Sequence, residues 1–308
     1  MPVAYKEWTS ARTALLGEMI YREKEEYRMK VRIVVDSTAD VTPDIREQLT
    51  VVPLSVSFGQ ETYIDGVTIN HSEFYQKMAQ SKDLPTTSQP SPDAFARVFE
   101  AAKNAGEELV VLCVSAGISG TCQSAMIAAQ DYEENVYVVD TMHVANGLGI
   151  LAEYALELAA QGKSAKEIAQ AVEAERENVQ FLAMVDTLTN LQKGGRIPKS
   201  LAIAGTLLSL KPVLTMKGGV LETVAKARGT KQGYSLLNKE VEAEGIDFDK
   251  PFLLAYTGMT DESLQKYLAA AGEIWQAGGK PVRQVPLCSV VGTHAGAGAV
   301  VVACFKEH

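Results

Sequence analysis

The feature that most constrains this chain is an alternation. Short β-branched runs, several of them apolar almost throughout, recur along it and are separated by amphipathic stretches. Strands are predicted at Val31–Val35, Val51–Phe58, Leu109–Val114, Val136–Val139, Phe181–Val185, Val213–Met216, Phe252–Tyr256, Val282–Pro286 and Ala299–Phe305. Helices are predicted at Ser72–Ser81, Pro92–Ala105, Gly120–Tyr132, His143–Gln161, Ala165–Asn178, Lys199–Ser209, Lys231–Glu242 and Asp261–Ala277. Strand–helix–strand repetition requires α/β layers. Strands without a polar face belong in a sheet covered on both sides, as parallel sheets are.

Helix starts are written into the sequence. Ser91-Pro92 puts a capping oxygen ahead of a proline at the first helical position. Asp261-Glu262 places carboxylates in a first turn. Gly162-Lys163-Ser164 separates two helices and marks the expected domain boundary. The expected fold class is therefore α/β with two domains, a parallel-sheet domain over 29–163 and a mixed α/β sandwich over 164–308. Residues 1–28 stand apart: Ala14–Arg28 is charged and helix-prone, and Met29-Lys30 runs straight into the first strand. They read either as a helical extension or as an upstream start with Met29 the natural initiator, and the second is favoured.

Composition narrows the function classes. Lys and Arg number 29 against 38 Asp and Glu, a formal charge of −9, which lacks the basic excess that phosphate neutralisation demands. Nucleic acid is not an expected partner. No apolar run approaches the roughly 18 to 20 residues that span a bilayer. The 4 cysteines, Cys113, Cys122, Cys288 and Cys304, form no C-x-x-C pair, so reduced thiols in a cytoplasmic protein are expected. With 4 histidines a multi-histidine metal site is not expected, and Asp36, Asp40 and Asp65 show no recognisable metal-binding arrangement.

Small polar residues gather where strands end, which is where open α/β sheets bind ligands. Asp36-Ser37-Thr38 follows the first strand, and Ser115–Thr121 follows the run Leu109–Val114. Within it, Ser119-Gly120-Thr121 stands at the start of a helix and offers hydroxyls and free N–H groups to an anion; taken alone it reads also as an ordinary cap, the commoner role of such residues. Pro85–Pro92 is a stiff loop, either a plain connector or a rigid edge that aims a hydroxyl into the crevice. In Leu191–Ile197, paired glycines precede Arg196, which either meets an anion or complements a helix end. Lys226–Gly229, with Arg228, is similarly open. His294 lies in a glycine-rich loop, Gly292–Gly298, as a donor to a carboxylate or phosphate or as a structural histidine. Gly117–Thr121 fails the G-x-S-x-G nucleophile elbow, and the loop around His294 fails G-x-G-x-x-G.

Taken in order, these segments resemble the DegV family of bacterial fatty-acid-binding proteins. The matching stretches are VDSTADV (Val35–Val41), Asp65-Gly66, TTSQPSPDAF (Thr86–Phe95), Ser119–Thr121, VVDT (Val138–Thr141), LQKGGRI (Leu191–Ile197), LLSLKPVL (Leu207–Leu214), KARG (Lys226–Gly229) and GTHAGAGA (Gly292–Ala299). The resemblance covers the chain from about residue 30 onward. It implies a long acyl chain held between two α/β domains, with Thr87, Ser119 and Gly120 at the carboxylate and His294 beside it. It places Arg196 and Arg228 near the pocket mouth, where a partner fatty acid kinase would approach to make an acyl phosphate. The chain itself is then a binding protein and not an enzyme, its only ligand the fatty acid, with no cofactor, metal or stable membrane insertion. Cys122 and Ala297 depart from the family's usual aromatic and proline. Met184, Ile203, Leu207, Leu208 and Leu214 are candidates for the acyl wall, and each reads equally as core. The rival reading is a serine hydrolase with Ser119 as nucleophile and His294 as base.

Overall fold

The computed structural model describes residues 29–132, 134–197 and 210–307. Its strands in chain order are β1 (Lys30–Asp36), β2 (Thr50–Val52), β3 (Ser55–Phe58), β4 (Glu61–Ile64), β5 (Thr86–Ser88), β6 (Glu107–Cys113), β7 (Val136–Asp140), β8 (Val179–Met184), β9 (Leu210–Lys217), β10 (Val220–Arg228), β11 (Leu253–Tyr256), β12 (Gln284–Pro286) and β13 (Val300–Phe305). The helices are α1 (Pro43–Arg46), α2 (His71–Gln80), α3 (Pro92–Ala105), α4 (Thr121–Ala129), α5 (Ala145–Ala160), α6 (Ala165–Glu175), α7 (Thr189–Lys193), α8 (Thr230–Glu244), α9 (Glu262–Gln276) and α10 (Ser289–Ala295).

The expected layers are present. A 4-stranded parallel sheet runs β2-β1-β6-β7, with Ile33 opposite Val110 and Leu112 opposite Val139. A 6-stranded mixed sheet runs β10-β9-β8-β13-β11-β12, antiparallel except for the β11–β12 pair. A small antiparallel sheet, β4-β3-β5, stands apart from both. Helices α3 and α4 cover the outer face of the parallel sheet, burying Phe95, Phe99 and Cys122 against Val34, Leu109 and Val111. Helices α8 and α9 cover the outer face of the mixed sheet around Tyr234, Tyr267 and Trp275.

Helix α5 fills the space between the two large sheets. It packs on β1 and β6 on one side and on β8, β11 and β13 on the other. Its sequence, ANGLGILAEYALELAA, is apolar nearly all round in its first half, as a helix buried on every side must be. Gly149 lets it approach Asp40: a Cβ there would strike the Asp40 carbonyl oxygen. The core between the sheets is consequently continuous, joining Ile33 and Val110 of one sheet to Phe181, Leu253 and Val301 of the other. The chain changes sheets later than the sequence suggests. Helix α6 packs on β6 and β7, so the crossing comes after Asn178 and not at Gly162–Ser164.

Three predicted elements differ locally. The single run Val51–Phe58 is two strands, β2 and β3, in different sheets. The stiff loop Pro85–Pro92 contains a strand, β5, with Thr87 opposite Val56. The segment holding His294 is a helix, α10, and its glycine-rich loop begins only at Gly296, where φ is 73°. Residues 1–28, and the helix predicted at Lys199–Ser209, lie outside the described residues. Among the described residues, no helix is long and apolar enough to cross a membrane.

Candidate functional site

The carboxyl ends of β1 and β6 open onto the mixed sheet, and an apolar cavity lies there. It holds about 740 Å³ of space unfilled by atoms, counting its solvent-open part. Its walls come from every layer that meets at this point. Val114 follows β6, Ala145 starts α5, Phe181 and Ala183 point from β8, Leu214 and Leu221 from the β9–β10 hairpin, and Val290 and Val291 from α10. No aspartate or glutamate lines it among the described residues. Polar side chains are few: Thr38, Thr87, Ser119, Arg196 and His294.

Four of the six predicted site residues therefore face one cavity. Each is delivered by a different element. Thr87 sits at the centre of β5, which backbone pairing with β3 fixes in register. Its Oγ1 lies 2.8 Å from Nε2 of His294, which stands in the last turn of α10. Ser119 ends the turn after β6, its N–H bonded to the Ser115 carbonyl at 3.1 Å. The Ser119 hydroxyl is 2.8 Å from the Thr121 hydroxyl and accepts the Thr121 N–H at 3.3 Å. Gly120 is the N-cap residue of α4, and no side chain caps that helix from there. A Cβ on Gly120 would collide with the Gln89 carboxamide, whose Nε2 donates to Ser124 Oγ at 3.0 Å. Glycine at this position lets the Thr87 segment lie against the Ser119 turn.

Arg196 links two turns at the cavity. Its Nε donates to the Ile118 carbonyl at 3.2 Å and its Nη1 to the Gly194 carbonyl at 2.5 Å. Gly194 in turn faces the His294 ring so closely that a Cβ there would overlap Nδ1. That nitrogen is buried and has no hydrogen-bond partner among the described residues. Burial, and then the nearby Arg196 guanidinium, push the His294 imidazole down to about 4. The ring is neutral at physiological pH.

Arg228 is not brought to this group. It ends β10, exposed, opposite Leu210, and its N–H donates to Gln232 Oε1. Of the acyl-wall candidates, Leu214 lines the cavity and Met184 does not. Side chains alternate along a strand, so Phe181 and Ala183 face the cavity while Leu182 and Met184 face Tyr234 and Leu237 on the far side. That period of two over Phe181–Val185 was the available signal for Phe181 and Ala183. Ile203, Leu207 and Leu208 lie outside the described residues. Asp36, Asp40 and Asp65 are buried, and no group of three or more His, Cys, Asp or Glu is placed to hold a metal ion among the described residues.

This layered α/β fold is that of the DegV proteins. The chain belongs to this family: the DegV family of uncharacterised proteins matches residues 30–307. A DegV domain-containing protein of Deinococcus radiodurans is 34% identical over 280 residues, covering 89% of this chain and 98% of that one. The structure of a fatty-acid-binding DegV family protein from Thermus thermophilus matches with a TM-score of 0.80 at 35% identity, covering 91% of this chain and 100% of that one. A DegV family protein from Eubacterium eligens loaded with heptadecanoic acid matches with a TM-score of 0.77 at 26% identity, covering 90% and 100%.

Proposed function

We propose that this chain binds a long-chain fatty acid, with the tail in the apolar cavity and the carboxylate at Thr87 and Ser119, beside His294. The observation that carries the reading is the convergence of Thr87, Ser119 and His294 on one cavity whose other lining, apart from Thr38 and Arg196, is apolar and which no acidic side chain lines among the described residues. The fatty acids of the Thermus thermophilus and Eubacterium eligens relatives support it.

The division of labour follows from magnitudes. Each buried methylene contributes about 0.8 kcal/mol, so a tail of about fourteen contributes on the order of 11 kcal/mol before ordering costs. The head group sets orientation. With His294 neutral, one arrangement serves an anion best. Nε2–H donates to Thr87 Oγ1, which leaves the Thr87 hydroxyl proton to donate to the carboxylate. Ser119 supplies a second hydroxyl, and the first amides of α4 and the Arg196 guanidinium add positive potential.

The hydrolase reading is weaker on the same geometry. Ser119 pairs with Thr121 and His294 with Thr87, and among the described residues no carboxylate orients Nδ1 of His294 as a base would require. We further propose, from the family resemblance, that the loaded protein presents its lipid to a fatty acid kinase and is itself non-catalytic, with Arg228 on the approach surface. Denaturing extraction and mass spectrometry of the purified chain should yield about one fatty acid per protein. Loaded protein, incubated with ATP and the kinase of its own source, should yield acyl phosphate. Empty protein that takes up no fatty acid on mixing would overturn the first proposal, and loaded protein inert to the kinase the second.

A further inference from the structure

Two buried carboxyl groups hold the start of the helix that carries His294. Asp40 Oδ1 accepts the Cys288 N–H at 2.8 Å, and Asp65 Oδ1 accepts the Ser289 N–H at 3.1 Å. The two acids come from separate parts of the fold. Asp40 follows β1, and its own N–H reaches the Ala145 carbonyl at the head of α5 at 3.3 Å. Asp65 follows β4, its N–H bonded to the Leu54 carbonyl at 3.0 Å. They are 6% and 2% exposed.

This is a costly way to start a helix. Oδ2 of Asp40 is buried without a hydrogen-bond partner among the described residues. Burial pushes both carboxyls above their ordinary range, and Asp65 adds to the effect on Asp40. A neutral acceptor such as asparagine in place of either aspartate would satisfy the same donor without burying an acid. Stability alone does not explain two aspartates here.

Their leverage does. Helix α10 has 7 residues, so a displacement at Cys288 or Ser289 reaches His294 with little helix to absorb it. The intervening residues are also locked. Thr293 Oγ1 donates to the Ser289 carbonyl at 2.9 Å, and Gly292 packs so tightly under Tyr75 and Phe74 that a Cβ would not fit. At the far end the His294 ring must meet Thr87 Oγ1.

We propose that Asp40 and Asp65 are positioning residues, which fix the start of α10 from two separate elements and thereby aim His294 at Thr87. The consequence for ligand affinity rests on the fatty-acid reading given above; the consequence for the histidine ring does not.

The test uses the full chain, with Asp40→Ala, Asp40→Asn, Asp65→Ala and Asp65→Asn, each alone and with His294→Gln. The ring-nitrogen chemical shifts of His294 report its tautomer and its bond to Thr87, and oleate affinity reports the head-group site. The alanine variants should shift the His294 nitrogen signals and weaken oleate binding at least tenfold. The asparagine variants, which keep an acceptor oxygen, should stay within about threefold of the parent and leave the ring signals in place. In the His294→Gln background the alanine substitutions should cost no further affinity. Unmoved ring signals in folded alanine variants would overturn the proposal, as would an equal loss of affinity with and without His294. Should the alanine variants not fold, displaced ring signals in the asparagine variants overturn it and unchanged ones support it. If the parent takes up no oleate, the fatty-acid reading fails, while the ring signals still decide the role of the aspartates.

Discussion

The hydroxyl of Thr87 and Nε2 of His294 are 2.8 Å apart across 207 residues of sequence. One belongs to the edge strand of a small antiparallel sheet, the other to a short helix that enters the last strand of the large mixed sheet. Both line the cavity, and a contact this short should couple them energetically. Thr87→Val should weaken fatty-acid binding by about 1–3 kcal/mol, since it removes a donor from a buried anion. His294→Gln should weaken it too, and the double variant should lose less than the sum. Isothermal titration across the four proteins checks this; strict additivity would contradict the pairing.

Ser119→Ala should cost a comparable amount of affinity, about 1–3 kcal/mol. Its effect should not add simply to that of Thr87→Val, because both hydroxyls are proposed to meet the same carboxylate. A coupled double variant is the expected outcome of the same titration, and strict additivity would place the two hydroxyls on different groups.

Acid should act through the imidazoles. His294 and His143 are both pushed down to about 4, each chiefly by burial. In the folded protein they are neutral, while the unfolded chain protonates them near pH 6.5. The folded state therefore binds fewer protons between about pH 6.5 and 4. Their contribution to stability is whole above about pH 6.5 and declines toward pH 4, by at most about 3 kcal/mol per ring. Replacing His143 or His294 by Gln should flatten the fall in unfolding free energy over that window. Bound carboxylate beside His294 should raise its titration midpoint, which ring-nitrogen chemical shifts would register.

Gly149→Ala sets two effects against each other. Alanine favours a helix interior over glycine by about 1 kcal/mol. The added Cβ, however, would meet the backbone oxygen of Asp40, which has no flexible end to move away. Steric conflict in a packed core costs about 1–3 kcal/mol or more, so the variant should be less stable than its parent in urea denaturation.

Much of the fold was legible in the sequence because burial writes itself into periodicity. The runs Ile33–Val35 and Val110–Val114 have no polar face, and both are strands covered on two sides. The boundary between helix and loop at His294 was not legible. Its segment, Ser289–Ala295, is too short for a helical period to show, and tertiary ties at Asp40 and Asp65 start it. Strand β5 was hidden for a similar reason: a proline-flanked triplet becomes a strand only because β3 pairs with it. The candidate site residues were found through family resemblance, since Thr87, Ser119 and His294 each have an ordinary structural reading when taken alone. Hydrophobicity alone does not decide whether Met184 is acyl wall or core, whereas its alternation with Ala183 puts it in the core on the far face.

The most direct test concerns the cavity itself. Ala183 lines it from the carboxyl end of β8. Ala183→Phe fills the tail space while leaving Thr87, Ser119 and His294 in place. Denaturing extraction and mass spectrometry should find about one fatty acid per parent chain. In the variant, bound lipid should fall to a few per cent while the protein stays folded. A parent free of lipid that takes up none, or a folded variant that still carries a full complement, would contradict the account.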